Sequence, residues 1–246
     1  MTPASIERYA RHLVLKEIGG PGQQALLSAR AVIIGAGGLG GPVGLYLAAA
    51  GIGHISIIDD DIIEASNLQR QVQFVHSDIG MGKAVVMADT LDDLNPDIKA
   101  DAISQRLTRD NAKTLLSGYD IVIDGVDSFE TRYAINQACL DLKTPLVSGA
   151  LGRFNGQVSA FKSDGSGPCY RCLVPDIPPD AETCAAVGVV GALAGIVGSV
   201  MALEVIKIIT AAGVPLFGRL WLYDGLAADS RTIGLPRDPA CRACGD

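Results

Sequence analysis

The sequence predicts an α/β fold: a mostly parallel sheet with helices on both faces, extended by antiparallel strands and closed by a cysteine-stapled C-terminal part. Three observations carry this. Between residues 31 and 150, short β-branched runs alternate with helical segments, which is the rhythm of strands joined by crossover helices. Past Gly149 that rhythm gives way to three strand-like runs around one long apolar helix. Four of the six cysteines form two pairs with two residues between the partners, one pair mid-chain and one near the C-terminus.

The elements follow in order. Ile6, Tyr9, Ala10, Leu13 and Val14 recur at helical spacing and predict an amphipathic helix over 5–17, ended by a turn at 19–22 and followed by a short helix over 22–29. Ala31–Ile34 is a buried strand, Gly35–Gly40 a glycine-rich turn, and a helix runs on to about Ala50. His54–Ile58 is the next strand and ends on Asp59, Asp60 and Asp61. After an irregular stretch, Lys83–Leu94 reads as a helix stopped by Asn95 and Pro96. A strand over 99–105 and a helix over 108–116 capped by Thr108 follow. Ile121–Ile123 is a strand closed by Asp124–Asp127, residues 129–143 a helix, and Leu146–Ser148 another strand. Beyond Gly149 the strands are Gln157–Phe161, Leu220–Tyr223 and Arg231–Leu235, with a helix over 188–210. The expectation is one continuous domain over 1–246, with N-terminal helices over 1–30 and two halves over 31–150 and 151–246.

Composition excludes several classes. At 48% hydrophobic residues the chain is not disordered as a whole. Its 20 basic and 27 acidic residues leave a net charge of −7, which argues against a general nucleic-acid binder. Charges at Glu7, Arg8, Arg11, Lys16 and Glu17 interrupt any leader-like apolar stretch. Ala31–Ile58 and Ala185–Leu203 carry no Asp, Glu, Lys or Arg. The glycines and Pro42 make the first a strand, turn and helix. The second, with Gly191 and Gly195 four apart, reads as a buried helix between acidic flanks and not as a span. The expectation is a cytoplasmic protein with no membrane partner.

Cys169 and Cys172 pair across two residues, as do Cys241 and Cys244. Two such knuckles supply four thiolates to one tetrahedral zinc ion, stapling the C-terminal segment to the middle of the chain. Disulfides and a redox pair are the competing readings. A reducing compartment disfavours the first, and the loops holding Pro168 and Pro239 disfavour the second. A site with all four positions filled serves folding and not catalysis. Cys139, inside an apolar helix, reads as packing.

Gly35, Gly37 and Gly40 sit between a strand and a helix in the spacing of a dinucleotide fingerprint. Such a turn offers backbone N–H groups and a helix N-terminus to phosphate. Asp59 lies 19 residues past Gly40, where an acid binds a ribose hydroxyl. On these residues alone three readings stand: a dinucleotide site, a mononucleotide site, or a packing turn without ligand. Arg70 and Lys83 tilt the balance by adding two cations on the same side of the sheet. A triphosphate calls for such cations, whereas a dinucleotide pyrophosphate is served by the helix terminus. Asp127, past the fourth strand, is placed to hold Mg²⁺ among them.

In combination these motifs resemble the MoeB/ThiF family, the bacterial relatives of ubiquitin-activating enzymes. The likeness rests on Arg8–Arg11, Gly35–Gly40, Asp59–Asp61, Ser66–Gln71, Lys83, Asp124–Asp127, Pro168–Cys172 and Cys241–Cys244. It spans essentially the whole chain and in wording is closest to the MoeB branch. It implies a Rossmann-like adenylation domain whose second half, 151–246, binds a carrier. The implied activity uses ATP to adenylate the C-terminal Gly-Gly carboxylate of a small ubiquitin-like sulfur carrier. That carrier would be of the MoaD type, for molybdenum cofactor synthesis, or of the ThiS type, for thiamine. The resemblance further implies a nucleotide set of Gly35, Gly37, Gly38, Gly40, Asp59, Ser66, Asn67, Leu68, Gln69, Arg70, Lys83, Asp127 and Ser128. Within it Gly38 lies under the phosphates, Asp59 holds the ribose, Asn67 and Arg70 contact phosphate, Lys83 stabilises charge and Asp127 holds Mg²⁺. Arg11 would reach the phosphates from the second subunit of a homodimer.

Some positions depart from the family pattern or stay open. Ser128 stands where many relatives have Asn, and His12 where Gln is common. The sequence stops two residues past Cys244, so a form without an appended sulfurtransferase domain is expected. Cys184 reads either as a thiol in covalent sulfur chemistry, as in the ThiF branch, or as a small residue of a crossover loop. Two other functional classes compete: an NAD-dependent oxidoreductase, for which His12, His54 and His76 supply no partner motif, and a non-catalytic scaffold, against which Arg70, Lys83 and Asp127 argue.

Overall fold

The computed structural model describes residues 1–177 and 188–245. Their eight strands form one sheet of order β3-β2-β1-β4-β5-β6-β7-β8. The strands are β1 (Arg30–Ile34), β2 (His54–Ile58), β3 (Lys99–Ile103), β4 (Ile121–Asp124), β5 (Leu146–Gly152), β6 (Asn155–Phe161), β7 (Arg219–Asp224) and β8 (Asp229–Gly234). Pairing is parallel from β3 through β5 and antiparallel from β5 to β8. The described helices of three or more turns are α3 (Gly19–Ser28), α4 (Gly40–Ala50), α5 (Lys83–Leu94), α7 (Phe129–Leu142) and α9 (Gly191–Thr210). Four are short: α1 (Pro3–Arg8), α2 (Ala10–Leu13), α6 (Ala112–Leu115) and α8 (Tyr170–Leu173).

Strand alternation feeds two cores. In β1, Ala31 and Ile33 face one apolar cluster with Val43, Leu47, Met87 and Val197. Val32 and Ile34 face the other with Leu116, Ile135 and Phe161. Period-two side-chain direction explains why a strand buried on both faces reads as a continuous apolar run.

The long elements match the sequence reading, and the differences have local causes. The single helix expected over 5–17 is two short ones, broken where Tyr9 leaves helical geometry to bury its ring and accept a hydrogen bond from Asn95 Nδ2 at 2.9 Å. Of the apolar stripe only Tyr9 is buried; Ile6 and Val14 are exposed. The turn expected at 19–22 is the first turn of α3, because proline fits the first turn of a helix. Thr108 does not cap the next helix: Asn111 is its N-cap residue, and the Asn111 side chain accepts from the Thr108 N–H at 2.8 Å. The parallel rhythm ends past Gly149, which lies inside β5, and the chain reverses between Gly152 and Asn155.

One described helix, α9, is long and apolar enough to cross a membrane by length and composition. Leu193, Ala194, Val197, Met201 and Val205 are buried within the fold. A Cβ on Gly198 would come within 2.9 Å of Pro42 of α4. Small residues therefore let α9 pack closely inside the chain, as a core helix. Cys184 lies outside the described residues.

Candidate active site

The strand order reverses between β1 and β4, leaving a crevice at the carboxyl ends of the parallel strands. The turn after β1 forms one wall and the loop after β4 the other. Between them lies a cavity of about 730 Å³. It collects Gly35, Gly37, Gly38, Asp59, Asn67, Arg70, Lys83, Asp127 and Ser128, which are spread over residues 35–128 of the sequence.

The glycine turn closes on itself. Gly35 has φ of 90°, and a Cβ on Gly40 would fall 1.8 Å from the Gly35 carbonyl. Gly40 thus permits the turn and does not line the cavity. Asp59 accepts from the Ala36 N–H at 2.7 Å and the Asp61 N–H at 2.8 Å. Burial raises its pKa above the ordinary carboxylate value, although both N–H groups and Lys83 oppose the shift. Lys83, the first residue of α5, pairs with Asp61 at 2.8 Å; its side chain is 9% exposed against 68% for Asp61. A cation stripped of water whose partner faces solvent is ready to exchange that partner for a phosphate.

Asn67 is buried and works locally, accepting the Glu64 N–H at 3.1 Å in a reciprocal cap of a 3₁₀ turn. Arg70 donates to the Ser66 carbonyl at 3.0 Å, which steers its guanidinium along the cavity wall. Asp127 is exposed in the loop after β4. Ser128 is the N-cap of α7 and accepts from the Thr131 N–H at 3.4 Å, so its hydroxyl orders the helix that follows the carboxylate.

Beneath that loop is a buried polar network. Arg132 pairs with Asp124 at 3.2 Å and donates to Ser148 Oγ at 3.2 Å, to the Gly149 carbonyl at 2.9 Å and to the Val126 carbonyl. Ser148 in turn donates to Asp124 at 2.7 Å. Burial opposes the Arg132 charge, but Asp124, Tyr170 and Asp127 together outweigh it and raise the pKa further. Nearby Tyr170 is pushed up to about 12 by burial, with Arg132 pulling the other way. Holding Val126 and Gly149 together fixes the backbone from which Asp127 projects.

Not every expected residue reaches the cavity. Ser66 and Gln69 are exposed and Leu68 packs on the core; none of the three lines it. The Gln69 carbonyl instead abuts Gly191 of α9. Arg11, on exposed α2, does not line the cavity of its own chain. Conversely, Gln71, Arg106, Arg132 and Tyr170 line it without having been singled out. Arg106 follows β3, and the strand-end rule that selected Asp59 and Asp127 would have found it. Nothing in the sequence marks Arg132, whose helical neighbours are ordinary.

The cysteine expectation rests on firm geometry. The Sγ atoms of Cys169, Cys172, Cys241 and Cys244 all lie within 4.8 Å of one another. Cys169 and Cys241 stand 3.7 Å apart, Cys172 and Cys244 3.4 Å. Four sulfurs at about 2.3 Å from a tetrahedral zinc would be roughly 3.8 Å apart, so the donor set fits that ion. All four are free thiols, as is Cys139. The Asn136 amide donates to Cys169 Sγ at 3.7 Å and the Asp238 N–H to Cys172 Sγ at 3.5 Å, contacts of the kind that orient sulfur ligands. Cys241 is lowered to about 7: burial raises it, but the N–H groups of Ala243 and Cys244 and the side chains of Cys169 and Cys244 together outweigh burial, whereas burial raises Cys169 and Cys244. Burial drives Cys139 well up, consistent with inert packing.

This crevice, with its glycine turn, half-buried Asp59 and converging cations, defines a nucleotide-binding protein of the Rossmann type. The ThiF family model matches residues 9–243, and the chain belongs to that family. It is 44% identical to a sulfur carrier protein adenylyltransferase of Thermus thermophilus, over all of this chain and 93% of that one. It is 42% identical to a SAMP-activating enzyme E1 of Haloferax volcanii, over 98% of this chain and 89% of that one. The chain covers 59% of the adenylyltransferase and sulfurtransferase MOCS3 of Dictyostelium discoideum, at 44% identity. Among solved structures, E. coli MccB with MccA-N7isoASN superposes with a TM-score of 0.86 at 25% identity, over 97% of this chain and 75% of that one.

Proposed function

We propose that this chain is a nucleotidyltransferase that uses ATP to adenylate the C-terminal carboxylate of a ubiquitin-like sulfur carrier, releasing pyrophosphate. The observation that carries this reading is the cavity itself, where a phosphate-type turn meets Lys83, Arg70 and Asp127. The carrier is inferred from the names of the relatives, and its shape requirement finds support in the fold. A second cavity of about 530 Å³ runs over β5 to β8 and shares Ala150, Leu151 and Gln157 with the nucleotide cavity. A groove continuous with the nucleotide site suits an extended tail ending in small residues.

The carboxylate is a poor electrophile, and linking it to AMP supplies a good leaving group. Attack at the α-phosphorus depends on alignment and charge neutralisation. The turn at Gly37 and Gly38 presents N–H groups to phosphate, Asp59 orients the ribose, and Arg70 and Lys83 neutralise charge that grows on the departing pyrophosphate. Asp127 would hold Mg²⁺, and that ion would supply positive charge beside the phosphates. The four cysteines would hold zinc as a structural ion. Arg11 is assigned to the cavity of the partner subunit in a homodimer, so a complete site needs two chains.

For the carrier we favour the MoaD type, on the likeness to the MoeB branch, over the ThiS type. Among the described residues no histidine lines the cavity, so His12, His54 and His76 give the oxidoreductase alternative no support. The test is exchange of labelled pyrophosphate into ATP with each carrier in turn. Exchange that requires a MoaD-type carrier supports the reading. Exchange only with a ThiS-type carrier moves the pathway, and none with either overturns it.

A further inference from the structure

Behind the phosphate turn, on the side away from the cavity, lies the side chain of Gln73. It is 7% exposed. Its Nε2 donates to the Ala36 carbonyl at 2.8 Å and to the Gly37 carbonyl at 3.3 Å. The reverse amide orientation would set its oxygen against two carbonyl oxygens, so the geometry fixes which end faces the turn. Among the described residues its Oε1 has no hydrogen-bond partner, so the amide is held by its donor end, and the unsatisfied acceptor is a cost the placement carries.

Gly41 explains how the amide fits. A Cβ on Gly41 would lie 2.1 Å from Gln73 Oε1 and 2.4 Å from its Cδ. The glycine and the glutamine occupy one volume between them. Gly41 is inside α4, where glycine costs about 1 kcal/mol relative to alanine. Its φ is not left-handed, so the backbone does not demand glycine there.

We propose that Gln73 is a positioning residue for the phosphate turn and that Gly41 is small in order to admit it. In a trans peptide the C=O and the following N–H point in opposite directions. Drawing the Ala36 and Gly37 carbonyls toward Gln73 therefore turns the N–H groups of Gly37 and Gly38 the other way. Both of those residues line the nucleotide cavity, and among the described residues no backbone acceptor takes either N–H. The clamp also holds two partial negative charges away from the place where phosphate binds. Gln73 touches no substrate and acts through the turn alone.

This proposal rests on the nucleotide reading of the cavity, and its test separates the two. Affinity for ATP and for adenosine is measured by calorimetry on the full chain, with thermal unfolding alongside. Gln73→Met keeps the volume and removes the donor. It is expected to weaken ATP binding roughly tenfold, about 1.4 kcal/mol, while adenosine affinity moves less than about twofold, since adenosine offers no phosphate to the turn. Gly41→Ala should reproduce the selective loss of ATP affinity, against the ordinary gain from alanine in a helix. In a Gln73→Ala background, where the shared volume is vacated, Gly41→Ala should cost nothing more. A folded Gln73→Met chain with wild-type ATP affinity, or one losing ATP and adenosine equally, overturns the clamp alone. So does a Gly41→Ala effect that persists unchanged without Gln73. A wild-type chain without ATP affinity overturns the nucleotide reading and the clamp together.

Discussion

The two halves of the sheet are built on different terms. In the parallel half every residue of β4 is buried, as is β1 after its first residue. Helices cover both faces there, so these two strands are ordered by burial on both sides. In the antiparallel half β7 is half-buried and all six residues of β8 are exposed. The four-cysteine cluster ties the segment following β8 to α8. β5 belongs to both, pairing parallel with β4 and antiparallel with β6. The contrast teaches that the nucleotide site stands on the self-sufficient half, while the outer strands depend on a staple.

Zinc removal should break the comparison most visibly. Metal binding in small zinc sites is worth about 10–16 kcal/mol of folding free energy, and much of that would be lost from one half. Chelation, or Cys241→Ser, should expose β7 and β8 amides to hydrogen exchange while β1, β2 and β4 keep their protection. Uniform loss of protection across the sheet would contradict the division.

Arg132→Met tests the opposite half. It leaves Asp124 as a buried charge without its partner and should cost about 3–5 kcal/mol of stability. Denaturant unfolding measures this directly. A loss below about 1 kcal/mol, the value of an exposed pair, would show that the network under the Asp127 loop is not what orders it.

Asp127→Ala should abolish adenylate formation with the fold intact, since charge stabilisation by a bound metal is worth several kcal/mol. Arg11→Ala should cost about 2–5 kcal/mol if its contact in the partner is buried. Mixing the two variants sharpens the comparison between one chain and two. If Arg11 acts in trans, mixed dimers regain one working site of two. Absence of recovery in dimers shown to exchange subunits would place Arg11 elsewhere.

The smallest effect is a pH dependence. The ribose hydroxyls proposed to donate to Asp59 need it ionised, and burial raises its pKa above the ordinary carboxylate value. ATP affinity should therefore fall as pH drops through that raised value, by up to about tenfold per unit for a single proton. The same shift gives the fold stability that is fully present below the unfolded pKa of the group and lost as pH rises through the raised folded one. Asp59→Asn should flatten the affinity profile. A profile unchanged in that variant would assign the dependence to another group.

What the sequence by itself determined was the long buried elements and the motifs of fixed spacing. Continuous apolar runs marked β1, β2 and β4 because strands buried on both faces need no polar side. The fingerprint glycines, Asp59, Lys83, Asp127 and the two cysteine pairs were legible because their chemistry demands particular residue types at strand ends or short separations. Only the tertiary structure decided the rest. Tyr9 breaks the N-terminal helix for a partner 86 residues away, Asn95. Ser66, Leu68 and Gln69 belong to a motif around the cavity, yet the turn of the chain points them elsewhere. Arg132 and Gln73 act on the site from behind, through carbonyls that every residue possesses. Such contacts leave no signature in residue type, because a backbone carbonyl becomes distinctive only when the fold brings a donor to it.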